Sequence, residues 1–241
     1  MQGSLPSEIG LLTRLEFLYL CDNDLNSHLP SEIGLLHSLK FLNLSRNEVA
    51  GFLPSEIGSL SELVEIHLFG NYFAGFLPSQ IGLLNSLSVL DLWRNHLTGA
   101  IPSEIGLLNS LSLLDLSNNY LSGSLPTEIG MLHKLGRLDI SRNHLTGSLP
   151  TEIGLLKQLV DLHLRANSLT GSLPSHFGLL DSLQALWMEE NSFTGTMLPE
   201  VCILVKRNDT FWRLSTDCEE IECTCCTDCC VDDEGCYPLY S

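Results

Sequence analysis

The sequence is poor in bases, poor in charge overall and free of long apolar runs. Lys and Arg total 12 against 29 Asp and Glu, for a formal net charge of −17, and charged residues make up only 17% of the chain. So acidic a chain repels phosphate backbones, which sets nucleic acid aside as a partner. The longest apolar stretches, such as CILV at 202–205, fall far short of the roughly 20 residues a helix needs to cross a bilayer. No membrane span is therefore expected within the chain. Met1 is followed by QGSLPSEIG, without the basic start and apolar run of a signal peptide. P-loop, HExxH and EF-hand patterns are missing, so no cofactor and no metal is implied. Cysteine is almost absent from the first 201 residues, where Cys21 stands alone.

What fills the chain instead is a repeat. Prolines fall at 6, 30, 54, 78, 102, 126, 150 and 174, always 24 apart. Glycines from 10 to 178 and asparagines from 23 to 191 keep the same step. The unit reads LPSEIGLLxSLxxLDLSxNxLTGS, and eight copies cover residues 5–196. A period of this size signals a solenoid, in which each unit buries its apolar face against its neighbours. In LSLLDLSNN, Leu111, Leu114 and Leu116 point inward, and 114–116 alternates with the period of a strand. Asn119 ends the strand, where a buried amide can bond turn backbone of its own and the next coil. LTG and LP carry the chain round the far side, Gly supplying a turn and Pro a fixed φ. PSEIGLL opens with Ser and Glu, which favour a short helical turn. Its Ile105, Leu108 and Leu111 recur on the core side.

This unit resembles the leucine-rich repeat, LxxLxLxxNxL, and with LTGSLP and IG it resembles the plant-type subclass. The resemblance implies an α/β solenoid: a right-handed leucine-rich repeat horseshoe. It would carry a parallel concave sheet, short helices or turns on the convex side, and a small Cys-rich C-terminal cap. Parallel strands spaced about 4.8 Å apart make eight of them a concave arc of roughly 34 Å, a size for a macromolecule rather than a metabolite. Residues 1–4 are expected to end a preceding repeat, 5–196 to form eight repeats, and 197–241 to form the cap and Cys-rich tail. GSLP at 3–6 matches GSLP at 147–150, as in a receptor-like ectodomain fragment whose signal peptide or membrane anchor lies upstream.

The eight repeats supply an internal comparison for two columns that face outward from the strands. One is Tyr19, Asn43, His67, Asp91, Asp115, Asp139, His163 and Trp187; the other is Cys21, Ser45, Phe69, Trp93, Ser117, Ser141, Arg165 and Glu189. Asp and Ser are ordinary there in this family, so the departures carry the information. They form two candidate ligand-binding clusters. One holds His67, Phe69, Tyr72, Trp93, Arg94 and His96; the other holds His163, Arg165, Trp187 and Glu189, with Glu190 beside them. Exposed aromatics with Arg are the usual make-up of interface hot spots; the plainer reading is that these rings merely cover the sheet. The Asp91, Asp115 and Asp139 row could attract a cation, but aspartate is the family default. His67 beside Asp91, and His163 beside Asp139 and Ser141, resemble catalytic dyads. An open sheet offers no water-excluding pocket, so an enzyme is not expected.

Eight cysteines remain: Cys202, Cys218, Cys223, Cys225, Cys226, Cys229, Cys230 and Cys236. Their even number fits a disulfide framework, while the spacing of Cys223, Cys226 and Cys229 could also chelate zinc. Adjacent pairs do not easily bridge to each other, so partners are expected across the tail. Sequons at Asn43 and Asn208 are candidate glycosylation sites. Phe211, Trp212 and Leu214 can cover the last coil, which resembles the Cys-bearing C-terminal cap of extracellular leucine-rich repeat proteins. CTCCTDCC resembles the tail of such proteins from diatoms. The resulting expectation is an extracellular or lumenal recognition module, a receptor-like ectodomain or secreted binder, taking a protein, peptide or glycan on the concave face. The alternative is a secreted inhibitor of extracellular hydrolases, as in plant polygalacturonase inhibitors that share the repeat. Ice or surface binding ranks lower, because the outward columns are irregular and charged.

Overall fold

The computed structural model describes residues 2–207, 213–217, 221–223, 225–226, 228–231 and 235–238. Each 24-residue unit folds as one coil. Strands from Phe17–Tyr19 through Leu113–Asp115 to Ala185–Trp187 lie side by side in chain order, all parallel. The register follows the repeat: Leu114 pairs with Leu90 on one side and Leu138 on the other. Ile105, Leu108, Leu111, Leu114, Leu116 and Leu121, from successive stations of one coil, all have 0% exposure. One continuous core therefore runs the length of the array.

The opposite side carries 3-10 turns such as Ser103–Leu107, as the PSEIG segment predicts. Their N-cap is proline, however, and Ser103 does not cap; its hydroxyl donates to the neighbouring Glu104 carboxylate at 3.2 Å. The glycine of IG answers to packing. A Cβ on Gly106 would stand 2.5 Å from the Glu128 carbonyl of the next coil, so consecutive turns touch only if the position is bare.

Two expectations change. The LTG segment is more than a turn: Tyr72–Gly75, His96–Gly99, Tyr120–Gly123 and their counterparts form a second parallel sheet of 7 strands. Leu97 is buried while His96 and Thr98 are exposed, the alternation of a strand, and five of the seven strands end at a left-handed glycine such as Gly99 (φ 75). The asparagine ladder also reaches the other way. Asn119 donates to Leu116 O of its own coil at 3.1 Å and to Leu92 O of the preceding coil at 3.0 Å, and accepts from Leu97 N at 3.0 Å.

The coil pattern outlasts the repeated sequence. The helix Pro199–Arg207 takes the place of a convex turn, Arg213–Asp217 adds a strand beside Ala185–Trp187, and Ile221–Glu222 pairs with Gly195–Thr196. Leu214 is fully buried, as expected of a residue covering the last coil; Phe211 and Trp212 lie outside the described residues. Asp217 closes the ladder by accepting the amides of Glu190 and Asn191 at 2.8 and 3.1 Å. Disulfides join Cys202 to Cys225, tying helix to tail, and Cys223 to Cys226. The second is local rather than across the tail: three residues of sequence separation leave the two Cα atoms 5.7 Å apart, within ordinary bridging range. It also removes Cys223 and Cys226 as zinc thiolates. Cys218 and the side chains of Cys229, Cys230 and Cys236 lie outside the described residues, as does Asn208.

Candidate functional site

Each concave strand sends alternate residues outward, so the face carries three columns rather than two. The column missed in the sequence precedes the other two and holds Phe17, Phe41, Glu65, Val89, Leu113, Arg137, Asp161 and Ala185. Phe17 and Phe41 stack at 5.1 Å between ring centroids. The signal was present, since position 113 alternates with buried Leu114, but LxxL spacing draws attention to the leucines alone.

The first predicted cluster comes together. Phe69 and Trp93 stack with centroids 5.4 Å apart and planes 14° from parallel, and Arg46 lies over the Phe69 ring at 5.5 Å. His67 stands between two carboxylates, Nε2 at 3.1 Å from Glu65 and Nδ1 at 3.6 Å from Asp91. The Asp91 and Glu65 carboxylates hold its pKa above the ordinary histidine value against the opposing effect of burial. Asp115 sits between Asp91 and Asp139 in the same row. Burial, reinforced by the neighbouring Asp139 charge, pushes its pKa up to about 6, although Ser117 donates to it through both backbone and hydroxyl.

Tyr72, Arg94 and His96 belong to the rim of the sheet and line a groove of about 770 Å³ along the flank where the concave strands end. Its lining includes residues that the sequence reading passed over: Arg46, Tyr120, Arg142 and His144. Tyr72, His96, Tyr120 and His144 form a tilted ring row with centroids 5.5, 5.7 and 5.9 Å apart. Arg46, Arg94 and Arg142 have φ of 53, 55 and 54°, the left-handed conformation shared by Asn118. That conformation at every coil turns the chain out of the concave strand, and the asparagine after it docks inward. The 24-residue step exposes these columns in the sequence, but a region read as a turn gave no reason to lay its side chains along one wall.

The second predicted cluster is only partly a surface. His163 and Trp187 stack at 5.2 Å and 17°, and Arg213 covers the other side of Trp187 at 4.5 Å. Burial lowers the His163 pKa despite Asp139 at 3.6 Å. Arg165 is bound by the Glu190 carboxylate. Glu189 is 1% exposed and accepts from Ser215 at 2.5 Å. It is thus removed from the ligand-facing set, because the strand Arg213–Asp217 closes over it. Asn43 lies within the concave sheet, its Oδ1 accepting from Ser45 N and Oγ at 3.0 and 2.6 Å; a glycan there would stand on the concave face. Cys21 is a free, half-buried thiol in the Ser column.

Residues 85–145 match one leucine-rich repeat family model, and 14–36, 38–60 and 158–180 match a second. No curated protein matches the sequence. Among solved structures, the chain is similar to the plant peptide hormone receptor RGFR1 in complex with RGF2. The TM-score is 0.85 and the identity 35%, over 92% of this chain and 35% of that one. It is also similar to the Arabidopsis receptor kinase HAESA in complex with the peptide hormone IDA and the co-receptor SERK1, with a TM-score of 0.84, 29% identity, and coverage of 99% and 42%. A plant ice-binding protein aligns with a TM-score of 0.74 and 29% identity, over 90% of this chain and 67% of that one. The chain thus spans about two-fifths or less of the two receptor chains.

Proposed function

This chain belongs to the leucine-rich repeat family, and from that premise we propose that it is an extracellular or lumenal recognition module of a receptor-like protein. It uses the concave sheet and the adjoining flank groove to hold a protein, peptide or glycan. The observation that carries the reading is the Phe69–Trp93 stack with Arg46 beside it, at the mouth of the groove. Aromatic and Arg side chains concentrated at one place are what binding interfaces use for affinity. The Cys202–Cys225 and Cys223–Cys226 disulfides fit an oxidising compartment. Among the described residues, no helix is long and apolar enough to cross a membrane, so attachment to one would come from outside them. The alternative of a secreted hydrolase inhibitor uses the same face, and inhibition assays against pectin-degrading enzymes separate the two.

The test is peptide display against the immobilised chain, with hits measured again on Trp93→Ala. Losing a stacked, half-exposed indole should weaken binding by about 2 kcal/mol while leaving the melting curve in place. Hits whose affinity is indifferent to Trp93→Ala and to Trp187→Ala would defeat the concave-face reading.

A second reading has its own observation. The flank sheet presents Thr98, Ser122, Thr146 and Thr170 in one column, with Thr194 just past its last strand, a more regular hydroxyl array than any concave column, and the chain is similar to a plant ice-binding protein. Thermal hysteresis of the purified chain checks it directly.

A further inference from the structure

The groove beside the concave sheet has a charge pattern opposite to that of the molecule. The chain carries −17 overall. Yet from Phe69 to His144 the groove lining includes Arg94, Arg142, His96 and His144 and no carboxylate; Asp24 and Glu48 line only its N-terminal end. Arg46 is paired with Asp22 at 3.4 Å. Among the described residues, Arg94 and Arg142 have no ion-pair or side-chain hydrogen-bond partner, so their guanidinium groups are available to a ligand.

The pattern also has a period of two coils. Arginine recurs at 46, 94 and 142, with Gly70 and Asn118 in the coils between, and tyrosine alternates with histidine along 72, 96, 120 and 144. At about 4.8 Å per coil, like groups recur every ~9.6 Å. An extended peptide repeats its same-face side chains every ~6.7 Å and falls out of step after one pair. In a fully extended, twofold β-linked polyuronate, each pyranose advances the chain by a little more than one strand spacing, and alternate carboxylates project to one side. Its carboxylates therefore recur close to the arginine period. Between the cations, the ring row packs ring against ring, which leaves phenol hydroxyls and imidazole nitrogens, together with Asn118, to meet sugar hydroxyls.

We propose that this groove binds a linear acidic glycan of the β-linked polyuronate class, with alternate carboxylates seated on Arg94 and Arg142. The carboxylate row Asp91, Asp115 and Asp139 runs parallel to it across the Trp93, Ser117 and Ser141 column, and repels an anion that strays toward the sheet centre. The inference rests on the reading of this face as a recognition surface and names the ligand class for the groove.

Calorimetric titration of the full chain with a β-linked mannuronate hexasaccharide tests it. Binding should weaken with added salt and fall about tenfold or more in Arg94→Asn/Arg142→Asn. Asparagine is the residue that the chain itself carries at the equivalent left-handed position 118 (φ 57), so the backbone is retained, and an unchanged melting curve verifies this. The proposal is overturned by no binding of the hexasaccharide, by equal affinity in the double variant, or by salt-independent affinity. It is also overturned if cellohexaose, or a Glu-Pro-Pro repeat peptide whose polyproline turn spans ~9.3 Å, binds as tightly. Those outcomes leave the recognition reading intact, since that reading fails only on the peptide hits.

Discussion

Asp115 shows how one residue registers the construction of the whole face. It is an ordinary occupant of its column, yet parallel strands in identical register set it between Asp91 and Asp139, and like charges opposed across strands repel. Its pKa, raised to about 6, mainly by burial, means that the folded state holds the proton more tightly than the unfolded chain. The stability that this proton confers is present below the unfolded value of about 4 and is lost as pH rises through about 6, amounting to about 3 kcal/mol at neutral pH. Asp115→Asn keeps an acceptor for Ser117 and removes the charge. Melting at about pH 7.5 should rise above the parent's and the two should converge near pH 4; parallel curves would refute the assignment. The two histidines beside the row diverge. His67, raised by its carboxylates, stabilises the fold below about pH 6.5 and loses this effect as pH climbs through its folded value. His163, lowered by burial, opposes the fold as pH falls below about 6.5. The two His–Asp pairs therefore carry opposite signs: Glu65 adds a second carboxylate at His67, whereas burial and the nearby Arg137 charge act against the proton at His163.

At the scale of the element, a coil is decided by how closely it approaches the next. The IG glycines are demanded on the convex side, where a Cβ on Gly106 would meet backbone at 2.5 Å. Gly136, at the start of a concave strand, has nothing nearer than the Ser112 carbonyl at 3.6 Å. Gly106→Ala should therefore destabilise by about 1–3 kcal/mol through forced separation of two coils, whereas Gly136→Ala should be neutral or gain about 0.5 kcal/mol by restricting the unfolded chain. Chemical denaturation of the pair checks this, and equal effects would mean that the close approach is not the cause. The strands, core leucines and buried asparagine column were legible in the sequence because burial of Leu114 or Asn119 follows from their type and period, whereas the direction in which the ladder reaches was not. Nor was the flank sheet. Thr98 and Gly99 carry turn chemistry, and they become a strand only because the same segment of the next coil lies alongside to pair with it.

At the scale of the molecule, the array is a nearest-neighbour stack whose C-terminal end needs a cover. The cover is a further coil written in different sequence: Arg213 pairs with Ala185 28 positions back, where repeat strands step by 24. The Cys202–Cys225 bridge fastens its helix across 23 residues of sequence separation, and a loop of that size contributes about 3 kcal/mol. Cys202→Ser/Cys225→Ser should loosen the last coils first and leave the middle ones protected, as expected of one-dimensional stacking. Hydrogen exchange reads this coil by coil: lost protection should reach the ladder amides near Asn191 and fade before Asn119. Uniform loss along the array would show that the cap holds the whole solenoid rather than its end.

The sequence by itself determined the solenoid, its period, its core columns and the two outward columns, because a 24-residue repeat of leucine, asparagine and glycine admits one way of burying apolar area. It also placed Phe69, Trp93 and Arg94 together, since one coil's step is one strand's spacing. Only the tertiary structure decided which of those residues stay exposed. It buried Glu189 beneath Ser215, sandwiched Trp187 between His163 and Arg213, and turned Arg46, Arg94 and Arg142 onto one wall with Tyr72 and His96. The physical reason is that exposure belongs to pairs of coils: whether a side chain meets water depends on what the next coil, repeated or not, lays across it.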